Sequence, residues 1–379
     1  PSRMQGVWLL WRSRGRGGYG HRVARSAGVT KPITLALDAM GGDNAPKQVI
    51  RGMDLARERF PNLSFIVFGD EQRIAPLIQH NRRLADICEI RHTIDAIADT
   101  DKPSQALRRG TNSSMRLAID AVRDGDAQGV VSAGNTGALL VVAKFVLKTL
   151  PGITRPAFTG FFPTLKGESV MLDLGANIDC DADNLVQFAV MGTAFSRAVL
   201  GIDRPRVALL NVGAEELKGH DALKTAAEIL RMADSPIMNF IGYVEGNDIP
   251  AGKADVVVTD GFTGNVALKT AEGTANLVTT FLRGAFRRSL MSRLGYLMAR
   301  GAIAALRERI DPRIYNGAMF VGLNGIVVKS HGGADAMGFA AAIGVAHDMV
   351  GGNINNRIIE DLERVGTPAA QELDQAAAS

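Results

Sequence analysis

Ile33-Thr-Leu-Ala-Leu-Asp38, Ala39-Met-Gly-Gly-Asp-Asn-Ala-Pro46 and Ser64-Phe-Ile-Val-Phe68 decide the fold. The first is a short apolar run closed by an acid, the second a loop, and the third another apolar run, closed by Gly69-Asp70. The stretch 46–59 between them reads as a helix. Pro46 suits its first turn, where the missing N–H needs no partner. Strand, loop, helix and strand in that order predict a parallel sheet with covering helices.

The pattern recurs along the chain. Gln128-Gly-Val-Val-Ser132 leads into Ala133-Gly-Asn-Thr-Gly137 and an apolar helix, 138–148. Ser169-Val-Met-Leu-Asp-Leu174 leads into Gly175-Ala-Asn177. Arg206-Val-Ala-Leu-Leu210 leads into Asn211-Val-Gly-Ala-Glu-Glu216, with a helix from about 220. Ala254-Asp-Val-Val-Val-Thr259 leads into Asp260-Gly-Phe-Thr-Gly-Asn265 and another helix. These strands are apolar throughout rather than alternating, as expected when both sheet faces are covered. A last helix is expected over 338–365, with a polar break at Gly351-Gly-Asn-Ile-Asn-Asn356.

Composition sets the outer limits. The 379 residues are 46% hydrophobic, enough for a large core, and no apolar tract is long enough to span a bilayer. Cys88 and Cys180 are the only cysteines, which reads as two free thiols in a reducing cytoplasm. The net charge of +4 misleads, because residues 1–31 carry +7 and the remaining chain −3. A near-neutral body gives no support to a nucleic-acid groove. Residues 1–31 read as a disordered basic extension, 32–365 as a single α/β catalytic domain and 366–379 as a frayed tail.

The segment 281–309 stands apart. Leu282, Phe286, Leu290, Leu294 and Leu297 form one helical stripe. Arg283, Arg287, Arg288, Arg293, Arg300 and Arg307 supply charge, with no acid before Glu308. That combination suits an interfacial helical hairpin on anionic lipid. An ordinary helix pair packed on the body, or at a dimer or partner contact, fits the same residues.

Glycine- and asparagine-rich loops at strand ends have a chemical use. Their backbone N–H groups can converge on an oxygen, and the following helix adds its positive end. Singly they read as turns; together they indicate a site for a small anion, phosphate above all. The candidates are Gly41, Gly42, Asp43, Gly134, Asn135, Thr136, Asn177, Gly213, Gly261, Thr263 and Gly264, with His331 in Lys329-Ser-His-Gly-Gly333. A satisfied structural hydrogen bond competes for His331. Lys218 follows its glycine loop directly and could neutralise the anion, while Lys269, Lys166, Lys102, Arg108 and Arg109 are further cations near such loops. Dinucleotide, P-loop and nucleophile-elbow fingerprints are absent. Asp173, Asp179, Asp181 and Asp183 lack calcium-loop spacing and read as solvated loop acids, so no metal is expected.

In order, Leu37-Asp-Ala-Met-Gly-Gly-Asp43, Asn112-Ser-Ser114, Ser132-Ala-Gly-Asn-Thr-Gly-Ala138, Leu172-Asp-Leu-Gly-Ala-Asn177, Leu209-Leu-Asn-Val-Gly213, Lys218-Gly219 and Val257-Val-Thr-Asp-Gly-Phe-Thr-Gly-Asn-Val266 resemble one family over about 33–360. It is the bacterial phosphate acyltransferase of phospholipid synthesis, the acyl-carrier-protein:phosphate transacylase. The resemblance implies a three-layer α/β/α sandwich resembling the isocitrate/isopropylmalate dehydrogenase fold, and also phosphotransacetylase, with 281–309 as its protruding hairpin. It further implies a cytoplasmic homodimer, peripherally bound to membrane, that needs no cofactor. Such an enzyme converts long-chain acyl-carrier-protein and inorganic phosphate into acyl phosphate, which passes to a membrane glycerol-3-phosphate acyltransferase. Lys218 and Asn265 fall on the family's activity-linked lysine and asparagine. Rival readings are a transacylase using acyl-coenzyme A, a decarboxylating dehydrogenase and a non-enzymatic membrane scaffold.

Overall fold

Eleven strands form one mixed sheet in the computed structural model, which describes residues 31–233, 235–303 and 317–365. The strands are β1 (Ile33–Asp38), β2 (Leu63–Gly69), β3 (Cys88–His92), β4 (Gly129–Ser132), β5 (Ala157–Thr164), β6 (Gly167–Leu172), β7 (Arg206–Leu210), β8 (Asn239–Val244), β9 (Val256–Val258), β10 (Ala318–Val321) and β11 (Ile326–Lys329). Their order is β3-β2-β1-β4-β11-β10-β5-β6-β9-β7-β8.

β3, β2, β1, β4 and β11 are mutually parallel, as are β6, β9, β7 and β8. Between the two blocks, β10 pairs antiparallel with both β11 and β5, and β5 pairs antiparallel with β6. The two blocks therefore run in opposite senses. The expectation of a simple parallel sheet is corrected here. It came from the covered strands alone and passed over β5 and β10. β5 carries Gly160 and Pro163 in Ala157-Phe-Thr-Gly-Phe-Phe-Pro-Thr164, and both weaken a strand signal.

Nine of the helices among the described residues cover the sheet or extend from it: α1 (Lys47–Arg59), α2 (Ser114–Arg123), α3 (Thr136–Leu147), α4 (Ala182–Phe195), α5 (Asp221–Met232), α6 (Gly261–Arg287), α7 (Leu290–Met298), α8 (Ala336–Gly351) and α9 (Ile354–Val365). Alternate strand residues face opposite layers. Leu35 and Leu37 join a core with Met53 of α1, Phe188 of α4, Ala226 of α5, Phe339 of α8 and Ile358 of α9. Ala36 faces the other way, into a core with Met115 of α2 and Leu139 of α3. Met171 and Val257 pack with Leu268 and Ala271 of α6 in a third cluster. Covering both faces is what makes the strands apolar at successive positions. The helix expected over 338–365 is two helices, α8 and α9. The chain turns at Asn353, which has φ 50°.

The hairpin segment is described as far as Ile303; 304–309, the extension 1–30 and the tail 366–379 lie outside the described residues. Beyond Gly264, α6 buries no residue, and α7 buries none. Phe286 of α6 meets the Tyr296 ring of α7 at 5.3 Å, so the chain folds back after Ser289. Leu282, Leu290, Leu294 and Leu297 are exposed, as are Arg287 and Arg293, whereas Phe286 is half-buried. Among the described residues, no helix is long and apolar enough to cross a membrane.

Candidate active site

The expected site residues fall into two sets, one at the C-terminal ends of each parallel block. The first set surrounds the buried carboxylate of Asp38. Its Oδ1 accepts from Gly41 N (3.1 Å), Met40 N (3.2 Å) and Ser114 Oγ (2.6 Å), and its Oδ2 from Ser132 Oγ (2.7 Å). Ser132 Oγ in turn accepts from Gly134 N at 3.1 Å. Three loops from separate strands are thereby stapled together. A fourth joins through Asp43 N, which donates to Gly332 O at 3.0 Å. The packing leaves no room for side chains, since a Cβ at Gly41 would lie 2.6 Å from Gly134 N.

Several residues expected to grip an anion in this set are spent on structure. Asn135 caps α3 by accepting from Ala138 N (2.9 Å) and donates to Asp99 O (2.7 Å). His331 Nδ1 accepts from Gly333 N at 3.1 Å, the structural role that competed for it. Gly42 is half-buried, and Asp43 and Thr136 are exposed at the rim.

The second set surrounds Asp173, which is fully buried. The solvated-acid reading of Asp173 is corrected by its surroundings. Oδ1 accepts from Phe158 N (2.9 Å), Gly175 N (3.1 Å) and Ala176 N (3.0 Å), and Oδ2 from Asn177 N (2.6 Å) and Asn177 Nδ2 (2.8 Å). Burial pushes the carboxyl pKa up, and these hydrogen bonds oppose the rise. Asp181, another of the four acids, caps α4 by accepting from Asn184 N.

The start of α6 is seated on this loop. Gly261 N donates to Asn177 O (2.7 Å), and a Cβ on Gly264 would overlap the Asp173 carbonyl oxygen. That approach, possible only for glycine, lays Asn265 over Gly175: a Cβ there would lie 3.0 Å from Asn265 Nδ2. Thr263 is committed to capping, its N and Oγ1 both donating to Asp260.

β7 is the next strand beyond β9, so its loop neighbours the start of α6. Asn211 organises it by accepting from Val212 N (2.8 Å) and donating to Lys218 O (3.1 Å). A Cβ at Gly213 would meet Lys218 Cγ at 3.2 Å, so the lysine stem lies along that glycine while the residue itself is exposed. α5 begins immediately afterwards, and its N-cap residue His220 makes no side-chain capping bond. The other candidate cations are less suited. Lys269 Nζ is paired with Glu272 at 2.8 Å, and Arg108 and Arg109 are exposed in the last turn of a short helix.

A family model described as fatty acid synthesis protein matches residues 33–357. The chain belongs to that family. The phosphate acyltransferase of Rhodospirillum centenum is 64% identical over 337 residues, which is 89% of this chain and 95% of the relative. Among solved structures, a phosphotransacetylase from Streptococcus pyogenes matches with a TM-score of 0.57 at 20% identity, over 84% of this chain and 94% of that one. A branched-chain phosphotransacylase from Enterococcus faecalis V583 matches with a TM-score of 0.52 at 16% identity, over 84% and 99%. The likeness to the isocitrate/isopropylmalate dehydrogenase fold is therefore corrected: the architecture is that of the phosphotransacetylases. The sequence pattern specifies covered strands with polar loops at their ends. The arrangement of those elements in space, which separates such folds, is not in the pattern.

Two residues of evident weight escaped the sequence reading. Asp173 looked like one of four loop acids, and Lys329 like the polar end of a strand. Lys329 is 7% exposed, and its Nζ donates to Ala133 O (3.2 Å) and to Ser330 O. The available signal was its place, directly after the apolar run Ile326-Val-Val328 and directly before a glycine loop.

Proposed function

We propose that the second set of loops is where phosphate attacks an acyl thioester, with Lys218 and Asn265 as the working side chains. The protein is a phosphate acyltransferase, moving an acyl group from acyl-carrier-protein to inorganic phosphate to give acyl phosphate for phospholipid synthesis. The observation that carries the site assignment is the seating of α6. Glycine contact with the buried Asp173 loop holds Asn265 in place, and the Lys218 loop is next to it in the sheet.

Chemistry follows from these parts. A phosphate oxygen adds to the thioester carbonyl carbon, forming a C–O bond and a tetrahedral oxyanion. The oxyanion collapses and breaks the C–S bond. The proton carried by hydrogen phosphate ends on the departing sulfur, leaving acyl phosphate and the free carrier thiol. The enzyme's part is to hold the reactants in line, which removes an entropic barrier, and to stabilise the oxyanion. In this reading Asn265 Nδ2 donates to that oxygen, and its position over Gly175 supports the role. Lys218, beside the uncapped start of α5, balances the phosphate charge. Burial pushes the thiols of Cys88 and Cys180 up to about 12, so neither supplies a thiolate near neutral pH. That supports direct transfer without an acyl-enzyme.

Gly213, Asn177, Gly261, Thr263 and Gly264 shape this phosphate site, while Gly41, Gly42, Asp43, Gly134, Asn135, Thr136 and His331 belong to the first set. Sheet twist supports a joint role for the two sets. At about 20–25° per strand, the six steps from β1 to β9 turn the strand direction by roughly 120–150°. Strand ends that point oppositely in the sheet are thereby carried back toward one side.

The protein acts as a homodimer and rests on anionic membrane through α6 and α7, handing acyl phosphate to a membrane glycerol-3-phosphate acyltransferase. The exposed leucine and methionine side chains of α7, flanked by arginine, support the membrane contact. The test of the reaction centre is phosphate-dependent release of carrier thiol from a long-chain acyl-carrier-protein. Lys218→Ala and Asn265→Ala should each slow it at least a hundredfold. Near-normal rates in both would refute the proposed centre, and turnover of acyl-coenzyme A alone would refute the carrier-protein donor.

A further inference from the structure

Lys329 is a lysine where the strand pattern calls for an apolar residue. β11 reads Ile-Val-Val-Lys, all four buried, and Lys329 pairs with Ser132 of β4. Burying an ammonium is unfavourable unless its surroundings repay the lost hydration. Here it is repaid by two loop carbonyls, Ala133 O from the β4 loop and Ser330 O from its own. Asp38, on the adjoining side, gathers loop N–H groups and hydroxyls. One buried anion thus collects the donors of these loops and one buried cation collects the acceptors.

The carbonyl side has a directional consequence. In a trans peptide the N–H points opposite to the C=O. Drawing the Ser330 carbonyl onto the lysine turns the His331 N–H away from Lys329, on the glycine-rich stretch His331–Gly333. The charges point the same way. Asp38, Asp43 and Asp99 all face Lys329 closely enough to stabilise its charged form. Without the ammonium, the negative charge of Asp38, Asp43 and Asp99 would stand without this counter-charge beside the loops.

We propose that Lys329 is a positioning residue that fixes the loops of β1, β4 and β11 to hold a phosphate group of the substrates. The inference rests on the phosphate-transfer reading above and adds a second, separately built phosphate-group site to it. Two sources supply that chemistry: inorganic phosphate itself, and the phosphodiester of the carrier protein's prosthetic arm. Desolvation lowers the Lys329 pKa to about 8, against its carboxylate neighbours, so most of its charge is kept at neutral pH and is lost as the pH rises through about 8. Retention of the phosphate group should weaken over the same interval.

The experiment compares wild type, Lys329→Met and Lys329→Arg between pH 6.5 and 9.5, measuring KM separately for inorganic phosphate and for acyl-carrier-protein. Circular dichroism melts verify folding. The expected result for Lys329→Met is a tenfold or greater rise in one of the two KM values, with kcat within threefold. Which KM rises identifies the phosphate source. In wild type the same KM should climb above pH 8, and Lys329→Arg should keep the low value across the range. If Lys329→Met does not fold, the wild-type and Lys329→Arg profiles decide: superimposable, flat profiles overturn the proposal. Two unchanged KM values in a folded Lys329→Met also overturn it. Failure of the Lys218 and Asn265 variants to lose activity would instead strike the reaction centre, and is read separately.

Discussion

Asp38 and Asp173 are buried carboxylates at the ends of β1 and β6, and they organise their loops in opposite ways. Asp38 takes hydroxyl hydrogen bonds from Ser114 and Ser132, 76 and 94 residues away, so it staples loops that meet only in the folded sheet. Asp173 is satisfied mainly by residues two to four positions ahead of it, in a loop that closes on itself. The cations differ too: Lys329 is sealed in behind the first set, whereas Lys218 is exposed on the second. The contrast supports the proposed division, with holding in the first set and reaction in the second. A charge that must meet a changing substrate stays accessible. A charge that fixes backbone can be buried.

The largest effect that would sharpen this contrast is at Gly264. Gly264→Val drives a side chain into the Asp173 carbonyl and lifts the start of α6, displacing Asn265. Overpacking of this kind costs about 1–3 kcal/mol. Denaturant unfolding should show that loss, and acyl phosphate formation should fall below detection. Near-normal activity would break the link between the Asp173 loop and the reaction centre.

Next comes Lys218→Ala. Removing a cation from the reacting site should lower kcat/KM by about a hundred- to a thousandfold. Because the residue is exposed, the melting temperature should not move. A stability loss as large as the activity loss would place Lys218 with the holding residues instead.

Ser132→Ala probes the first set. It removes one donor to Asp38 and the acceptor of Gly134 N, which should cost about 1–3 kcal/mol in unfolding free energy. A mainly kinetic effect with unchanged stability would reverse the roles of the two sets. His331→Ala should be the mildest, because the bond from Gly333 N spans only two residues. It should lower stability by about 1 kcal/mol or less.

Much of this was legible in the residues. β1 is found at Ile33–Asp38 and β7 at Arg206–Leu210, as the sequence reading had them, and the ends of the other apolar runs move by at most two residues. Local physics governs those runs: apolar side chains on both faces, then a polar loop. The opposed sense of the two blocks was not legible, because it depends on β10 pairing with β5, two strands far apart in sequence. The burial of Asp173 and Lys329 was hidden for the same reason. An isolated charged residue at a strand end reads as solvated, and only the converging groups of distant loops remove it from water. Asn265 and Lys218 stood out through their motifs, but their support by Gly175 and Gly213 is a matter of ångström contacts.

The central claim is direct transfer, with phosphate as the attacking group and no acyl-enzyme between. Enzyme mixed with long-chain acyl-carrier-protein, first without and then with inorganic phosphate, tests it through the release of free carrier thiol. The account predicts no thiol before phosphate is added, and one thiol per acyl phosphate afterwards. A burst of thiol stoichiometric with enzyme in the absence of phosphate would contradict it.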